Sequence, residues 1–358
     1  MQRWFFALAP AIVGLLFLLP ACGSGEGTSV GGELHVFNWE DYFAPNTLDD
    51  FESEFGIDVF LETYDYENVA VSAIQSDPSR YDVVVFSDEL IAEMTDLKLL
   101  AELNLESIPN LANIDPQFLN QPWDPGNRYS VPYAWGSTGI VYNTKHVDSP
   151  KKSWSLLQDP RLAGRVALAK DPNVVIGLTL KSLGYSLNSK DQDQLDQAVS
   201  VVRTQKPLLA GFLDPVTIRE KLASEELWAA QLFSGDAAML MSENENLTFF
   251  IPVEGSDYYV DSLAIPRDAR NVEAAHLFIN YILRPDVHAD IANYTAYAIP
   301  NRAALQQGLV DEEFLASEAS YPPRDLLEAW VPHDDEMNAL WNKAWADIER
   351  DASAASTP

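Results

Sequence analysis

The sequence predicts an α/β protein of two lobes with a cleft between them. Three observations carry this. Strand and helix patterns alternate from Glu33 onward, and that alternation predicts a mostly parallel sheet. Asp82-Val83-Val84-Val85-Phe86 is a continuous apolar run, of the kind buried on both faces of such a sheet. After an Asn- and Pro-rich stretch over residues 104–133, the same grammar resumes. Two α/β lobes joined by more than one chain crossing leave a cleft whose floor is the hinge, and such a cleft is the default ligand site.

In chain order, Leu34-His35-Val36-Phe37 is a first strand ending at Asn38. Pro45-Asn46-Thr47 starts a helix with Leu48, Phe51 and Phe55 on one face and Asp49, Asp50, Glu52 and Glu54 on the other, stopped at Gly56. A strand over 57–63, a helix over 68–75, the apolar run at 82–86 and a helix from Asp88 or Glu89 complete the first unit. Short strands are expected near 129–135 and 138–142, with Gly136 and Gly139 at a crossing into the second unit. There the pattern reads strand 165–169, helix 173–183 ended by Gly184, helix 191–203, helix 225–234 ended by Gly235 and strand 237–241. A longer strand over 258–265 is the candidate return crossing. An amphipathic helix over 271–283 stops at Arg284-Pro285, and a last helix spans 334–350.

Ahead of this, Arg3 precedes an apolar run from Trp4 to Leu19 and then Leu19-Pro20-Ala21-Cys22. One basic residue, a short apolar core and a small residue at the cleavage point make a secretory signal. At about 16 residues, broken by Pro10 and Gly14, the run is short of the ~20 needed to span a membrane. Cys22, the only cysteine, stands where bacterial lipoproteins carry their lipidated residue, and it excludes an internal disulfide. The glycine-rich segment to Gly32 reads as a flexible tether.

The 54 acidic and 23 basic side chains give a net charge of −31, which argues against nucleic-acid binding and favours cationic partners. With 47% hydrophobic residues the chain is too apolar to be a disordered acidic segment. No H-E-x-x-H, G-x-S-x-G or phosphate-loop motif occurs, and the five histidines have no ligand spacing, so no metal or cofactor is expected. In His333-Asp334-Asp335-Glu336 an aspartate is expected to cap the last helix rather than bind a metal. What stands out is aromatic and carboxylate residues interleaved at strand ends. Trp39 and Tyr42 follow the first strand, Ser87 ends the third, Tyr259 and Asp261 share one face of a strand, and Tyr297 lies near a turn. Ring faces with a desolvated carboxylate suit an organic ammonium ion.

Phe37-Asn38-Trp39, Tyr81-Asp82-Val83-Val84-Val85, Asn120-Gln121-Pro122-Trp123-Asp124-Pro125, Val131-Pro132-Tyr133-Ala134-Trp135-Gly136, Asp261-Ser262-Leu263-Ala264-Ile265-Pro266 and Leu283-Arg284-Pro285-Asp286-Val287 resemble the bacterial spermidine/putrescine-binding proteins over nearly the whole mature chain. The resemblance implies the two-lobed, type II-like periplasmic-binding-protein fold, with an interdomain cleft and hinge crossovers. It implies a non-enzymatic, monomeric receptor, lipid-anchored outside the cytoplasmic membrane, that delivers a cationic amine to ABC permease subunits. The implied layout is signal 1–21, tether 22–32, one lobe of 33–136 plus about 264–315, a second of 137–263 plus about 316–350, and a tail, 351–358. The implied binding residues are Trp39, Tyr42, Ser87, Asp171, Tyr259, Asp261 and Tyr297, with lipid on Cys22. Asp261 would hold one ammonium and Asp171 the far end of the ligand. Val174, Met241, Glu40, Glu89 and Val331 depart from the family pattern, Met241 standing where a tryptophan would close the site. The ligand therefore stays open between a polyamine and another cationic or zwitterionic solute, such as a quaternary ammonium or an amino acid. A carboxylate-dependent hydrolase is the remaining alternative.

Overall fold

The computed structural model describes residues 32–64 and 67–350. The signal, the tether up to residue 31 with Cys22, and the tail lie outside the described residues. The first unit follows the expected order: β1 (Gly32–Trp39), α1 (Thr47–Phe55), β2 (Ile57–Tyr64), α2 (Glu67–Ser76), β3 (Val83–Phe86) and α3 (Asp88–Asp96). The Asn/Pro-rich stretch is irregular with three short 3-10 turns, and leads into β4 (Ser130–Gly136) and β5 (Thr138–Asn143).

The second unit continues with β6 (Val166–Ala169), α4 (Pro172–Ser182), α5 (Gln192–Gln205), β7 (Leu209–Leu213), α6 (Pro215–Ala223), β8 (Ala229–Phe233), α7 (Ser234–Glu243) and β9 (Leu247–Phe250). Here two expectations fail. Residues 225–234, expected as a helix, contain β8, and 237–241, expected as a strand, lie inside α7. The alanine-rich Ala229-Ala230 carries little strand propensity, yet β8 is sandwiched between β5 and β6, where packing and ladder bonds override it. Ala237, Ala238 and Leu240 are all buried, so α7 lacks the polar stripe that marks a surface helix. The chain closes with β10 (Ser256–Ala264), α8 (Val272–Ile282), α9 (Pro285–Thr295), α10 (Arg302–Gln306), α11 (Glu312–Leu315), β11 (Leu327–Ala329) and α12 (Asp335–Glu349). Pro285, expected as a stop, is also the first residue of α9, a position where its missing N–H costs nothing. Asp334 caps α12 by accepting from the Met337 N–H at 2.9 Å.

Two mixed sheets result. One runs β11-β10-β3-β1-β2, with β4 also on β10; the other runs β7-β6-β8-β5-β9. β10 is hydrogen-bonded in the first sheet along its length, from Ser256 opposite Leu327 to Ala264 opposite Val84 and Ser130. The first sheet owns one large core, including Phe37, Phe51, Val84 and Phe278. The second buries both faces: Ile140, Val166 and Leu168 pack with α4, α5 and α12, whereas Val141, Ala167 and Leu232 pack on the opposite side.

The chain passes between the sheets after β4, after β9 and after β11. Asp257 ties these crossings together. Its carboxylate accepts from the Thr138 N–H at 2.7 Å, the Thr138 hydroxyl at 3.0 Å and Trp330 Nε1 at 3.2 Å. Fully buried, it also lies 3.2 Å from the Ser256 hydroxyl beside it on β10, so groups from all three crossings surround it.

Candidate functional site

Three tyrosines and a carboxylate meet where the two sheets join. Asp261, on β10, is 6% exposed, and its Oδ2 accepts from the Tyr42 hydroxyl at 2.5 Å. Tyr42 comes from the loop after β1 and meets Tyr297 edge-on at 5.0 Å between ring centres. Burial pushes the Asp261 carboxyl up to about 6, opposed by the Tyr42 hydrogen bond, and no cationic side chain of the described residues offsets it. Tyr42, Tyr259 and Tyr297 are pushed well above the usual phenol value, by burial first and by neighbouring charge and hydroxyls second, so all three stay protonated.

A second layer holds Tyr42 in place. The Tyr133 hydroxyl donates to the Tyr42 carbonyl, and the Tyr133 ring stacks on His288. Burial holds His288 down to about 4, so it is neutral and adds no charge behind the site.

The other side is built from the second sheet. Tyr259 pairs with Gly136 at the crossing, where a Cβ would lie 2.3 Å from the Tyr259 hydroxyl oxygen. Phe233, the last residue of β8, meets the Tyr259 ring edge-on at 5.6 Å. Gly235 stops nothing, contrary to the sequence reading. It lies in the first turn of α7 because the Tyr297 ring comes within 2.1 Å of where its Cβ would be. The next residue, Asp236, is a second buried carboxyl, pushed up to about 6 by burial and opposed by Arg219, whose Nε is 3.4 Å away. Asp236 acts electrostatically on both Tyr259 and Tyr297, so two carboxyls flank that tyrosine pair. Sequence reasoning missed Phe233 and Asp236 because it broke the chain between a helix and a strand there. The signal was present in Ser234-Gly235-Asp236, small residues and an acid at a helix start.

Of the expected residues, Tyr42, Asp261, Tyr259 and Tyr297 come together. Trp39 lies at the end of β1, its ring 4.3 Å from Tyr64, with its Nε1 buried and without a partner. Ser87 caps α3 and Asp171 caps α4, accepting from the Leu90 N–H at 3.3 Å and the Val174 N–H at 3.0 Å. Burial raises the Asp171 carboxyl, opposed by the amides of Val174 and Asn173. Glu89 on α3 accepts from the Asn173 side chain on α4 at 3.2 Å, a bridge between the two units. Glu40 is exposed, and Val174 is buried in the second core. Met241 packs under the second sheet, and the aromatic beside Tyr259 is Phe233. Among the described residues no cluster of His, Cys, Asp and Glu is arranged to hold a metal, and no helix is long and apolar enough to cross a membrane.

The family of bacterial extracellular solute-binding proteins matches residues 46–322, more than three quarters of the chain. The chain belongs to that family. It is 31% identical over 354 residues to the spermidine/putrescine-binding periplasmic protein of Salmonella typhimurium, covering 98% of this chain and 99% of that one. Its fold is similar to the spermidine/putrescine ABC transporter substrate-binding protein PotD of Streptococcus pneumoniae, with TM-score 0.82 and 33% identity over 89% of this chain and 99% of that one. It is also similar to the TpPotD lipoprotein of Treponema pallidum, with TM-score 0.78 and 29% identity over 88% and 99%. The expected periplasmic-binding-protein fold is therefore the observed one. In this solute-binding protein the tyrosine–carboxyl group lies at the junction of the sheets, beside the crossings that Asp257 ties.

Proposed function

We propose that the chain is the substrate-binding lipoprotein of an ABC importer, taking a polyamine of the putrescine or spermidine type between its lobes. One observation carries this reading: Asp261 is a buried carboxyl with a hydroxyl donor and aromatic rings around it but no cation of its own. A carboxylate in that setting is poorly solvated until a positive ligand arrives. An alkylammonium supplies both the charge and the N–H donors, and the rings of Tyr42, Tyr259, Tyr297 and Trp39 attract it by their faces. A second ammonium, one polymethylene length away, is drawn to Asp236 or Asp171, and Ser87 adds a polar contact. The names of the relatives support a polyamine over other cations.

The first lobe takes 33–136 with about 256–329 and the second takes 137–255 with about 330–350, which moves the expected divisions near 264 and 316 to the crossings before β10 and after β11. Ligand bridges the lobes and stabilises the closed form, which the permease subunits recognise. Lipid on Cys22 holds the monomeric receptor at the outer face of the membrane. No bond is made or broken in the ligand.

The test is calorimetric titration with putrescine, spermidine, n-butylamine, 1,4-butanediol, glycine betaine and arginine, followed by recovery of the ligand. Tight binding of a di- or polyamine, returned unchanged, with no heat from the diol is the expected result. Tighter binding of betaine or arginine than of every polyamine would refute the ligand, and a converted product would refute the receptor. Incorporation of labelled palmitate that is lost in Cys22→Ser tests the anchor.

A further inference from the structure

The first lobe contains a second cavity, of about 190 Å³, walled by Phe118, Trp135, Ile299, Leu305 and Tyr321. It exceeds the ~150 Å³ apolar cavity that holds a benzene ring in another protein. One cation reaches it. Arg324 precedes β11, and its guanidinium carbon lies 4.0 Å from the ring centre of Tyr258, 4.9 Å from Phe118 and 5.2 Å from Trp135. Its Nη1 is buried without a hydrogen-bond partner, and it joins no ion pair among the described residues.

Arg324 therefore meets aromatic faces in place of a carboxylate partner, although one carboxylate, Asp115, lines the same cavity. The rings stabilise its charge through their faces, but they leave the in-plane N–H donors unspent. A buried charged donor without an acceptor is costly. Arg324 lines the cavity, so an acceptor that enters it can meet these donors, and a carboxylate does so with the best geometry.

We propose that this cavity is a second ligand site, for a small monocarboxylate with an apolar body, held through Arg324. Asp115 also lines the cavity, with one oxygen already accepting from the Gln117 N–H at 3.0 Å. Its negative charge excludes dianions and makes an amine the rival guest. The site is opposite in charge preference to the tyrosine–Asp261 group and independent of the function proposed there.

The experiment titrates the full chain with benzoate, benzyl alcohol and benzylamine by calorimetry, in the parent, Arg324→Gln and Leu305→Trp. Leu305→Trp keeps the cation and fills the space. Benzoate is expected to bind one site, at least tenfold more tightly than the alcohol or the amine, and both variants to lose at least tenfold. Circular-dichroism melting confirms that each variant is folded. Equal binding of alcohol and acid, preference for benzylamine, retention of benzoate by either folded variant, or no benzoate heat at millimolar concentration would each overturn the proposal.

Discussion

Replacing Asp261 by Asn is expected to weaken amine binding and, at the same time, to stabilise the empty protein. The carboxyl is raised from 3.8 to about 6 by burial. Folding therefore costs the ionised group roughly 2 pKa units, or about 3 kcal/mol at pH ~7.5. A folded-state pKa above the unfolded one means the native chain holds the proton more tightly. The penalty is thus absent well below pH ~4, grows through the window between the two values and is fully present above about 6. Asn keeps an oxygen for the Tyr42 hydroxyl and carries no charge, so it removes the penalty. Its advantage should be about 3 kcal/mol at pH ~7.5 and about 1 kcal/mol at pH ~4.5, read from paired denaturant titrations. With ligand the sign reverses, because a buried ammonium that loses its counter-charge forfeits ~2–5 kcal/mol, roughly 30- to several-thousand-fold in affinity. A variant that was less stable when empty at neutral pH, or that bound putrescine as the parent does, would refute both halves of this reasoning.

Amine binding should release protons near pH 6, because Asp261 and Asp236 are both partly protonated there when empty and ionised when an ammonium sits beside them. Titrations in two buffers of different ionisation enthalpy read that release, and affinity should fall as pH drops below about 6, by up to tenfold per unit for each carboxyl engaged. Gly235→Ala places a methyl 2.1 Å from the Tyr297 ring and should cost at least tenfold in amine affinity, measured by calorimetry. Asp257→Ala leaves the donors on Thr138 and Trp330 unmet and should lower stability by about 3 kcal/mol or more in a denaturant titration. Asp171→Asn should weaken spermidine more than n-butylamine if its carboxyl reaches the far ammonium, and leave both unchanged if it only caps α4.

Where the sequence was legible, one local pattern had one physical cause. The strand at 82–86 is apolar because it is buried on both faces, and Phe51, facing the core of its helix, needs no distant partner to be read. Asp261 stands out in the sequence for a different reason: a carboxylate within an apolar strand is expensive unless something offsets it, so its presence points to a partner, whereas Tyr42 and Tyr297 stand out only as rings near a strand end and a turn. The failures fall where a residue's conformation is set by another part of the chain. Gly235 looks like a helix stop because glycine usually is one, but here it is small to admit Tyr297, which lies 62 positions away. Once that glycine is misread, β8 and α7 exchange identities, and Phe233 and Asp236 drop out of the site. The same long-range logic governs Asp257. In sequence it is an acid at the start of a strand, whereas in the fold it is the acceptor for both other crossings. Binding two ammonium groups requires charges on both sides of a closing joint, so half the determinants must come from the unit whose local pattern is least informative. In the site proposed above, Asp236, next to the misread glycine and acting on the same tyrosines as Asp261, would supply that half once an ammonium competes with Arg219 for it.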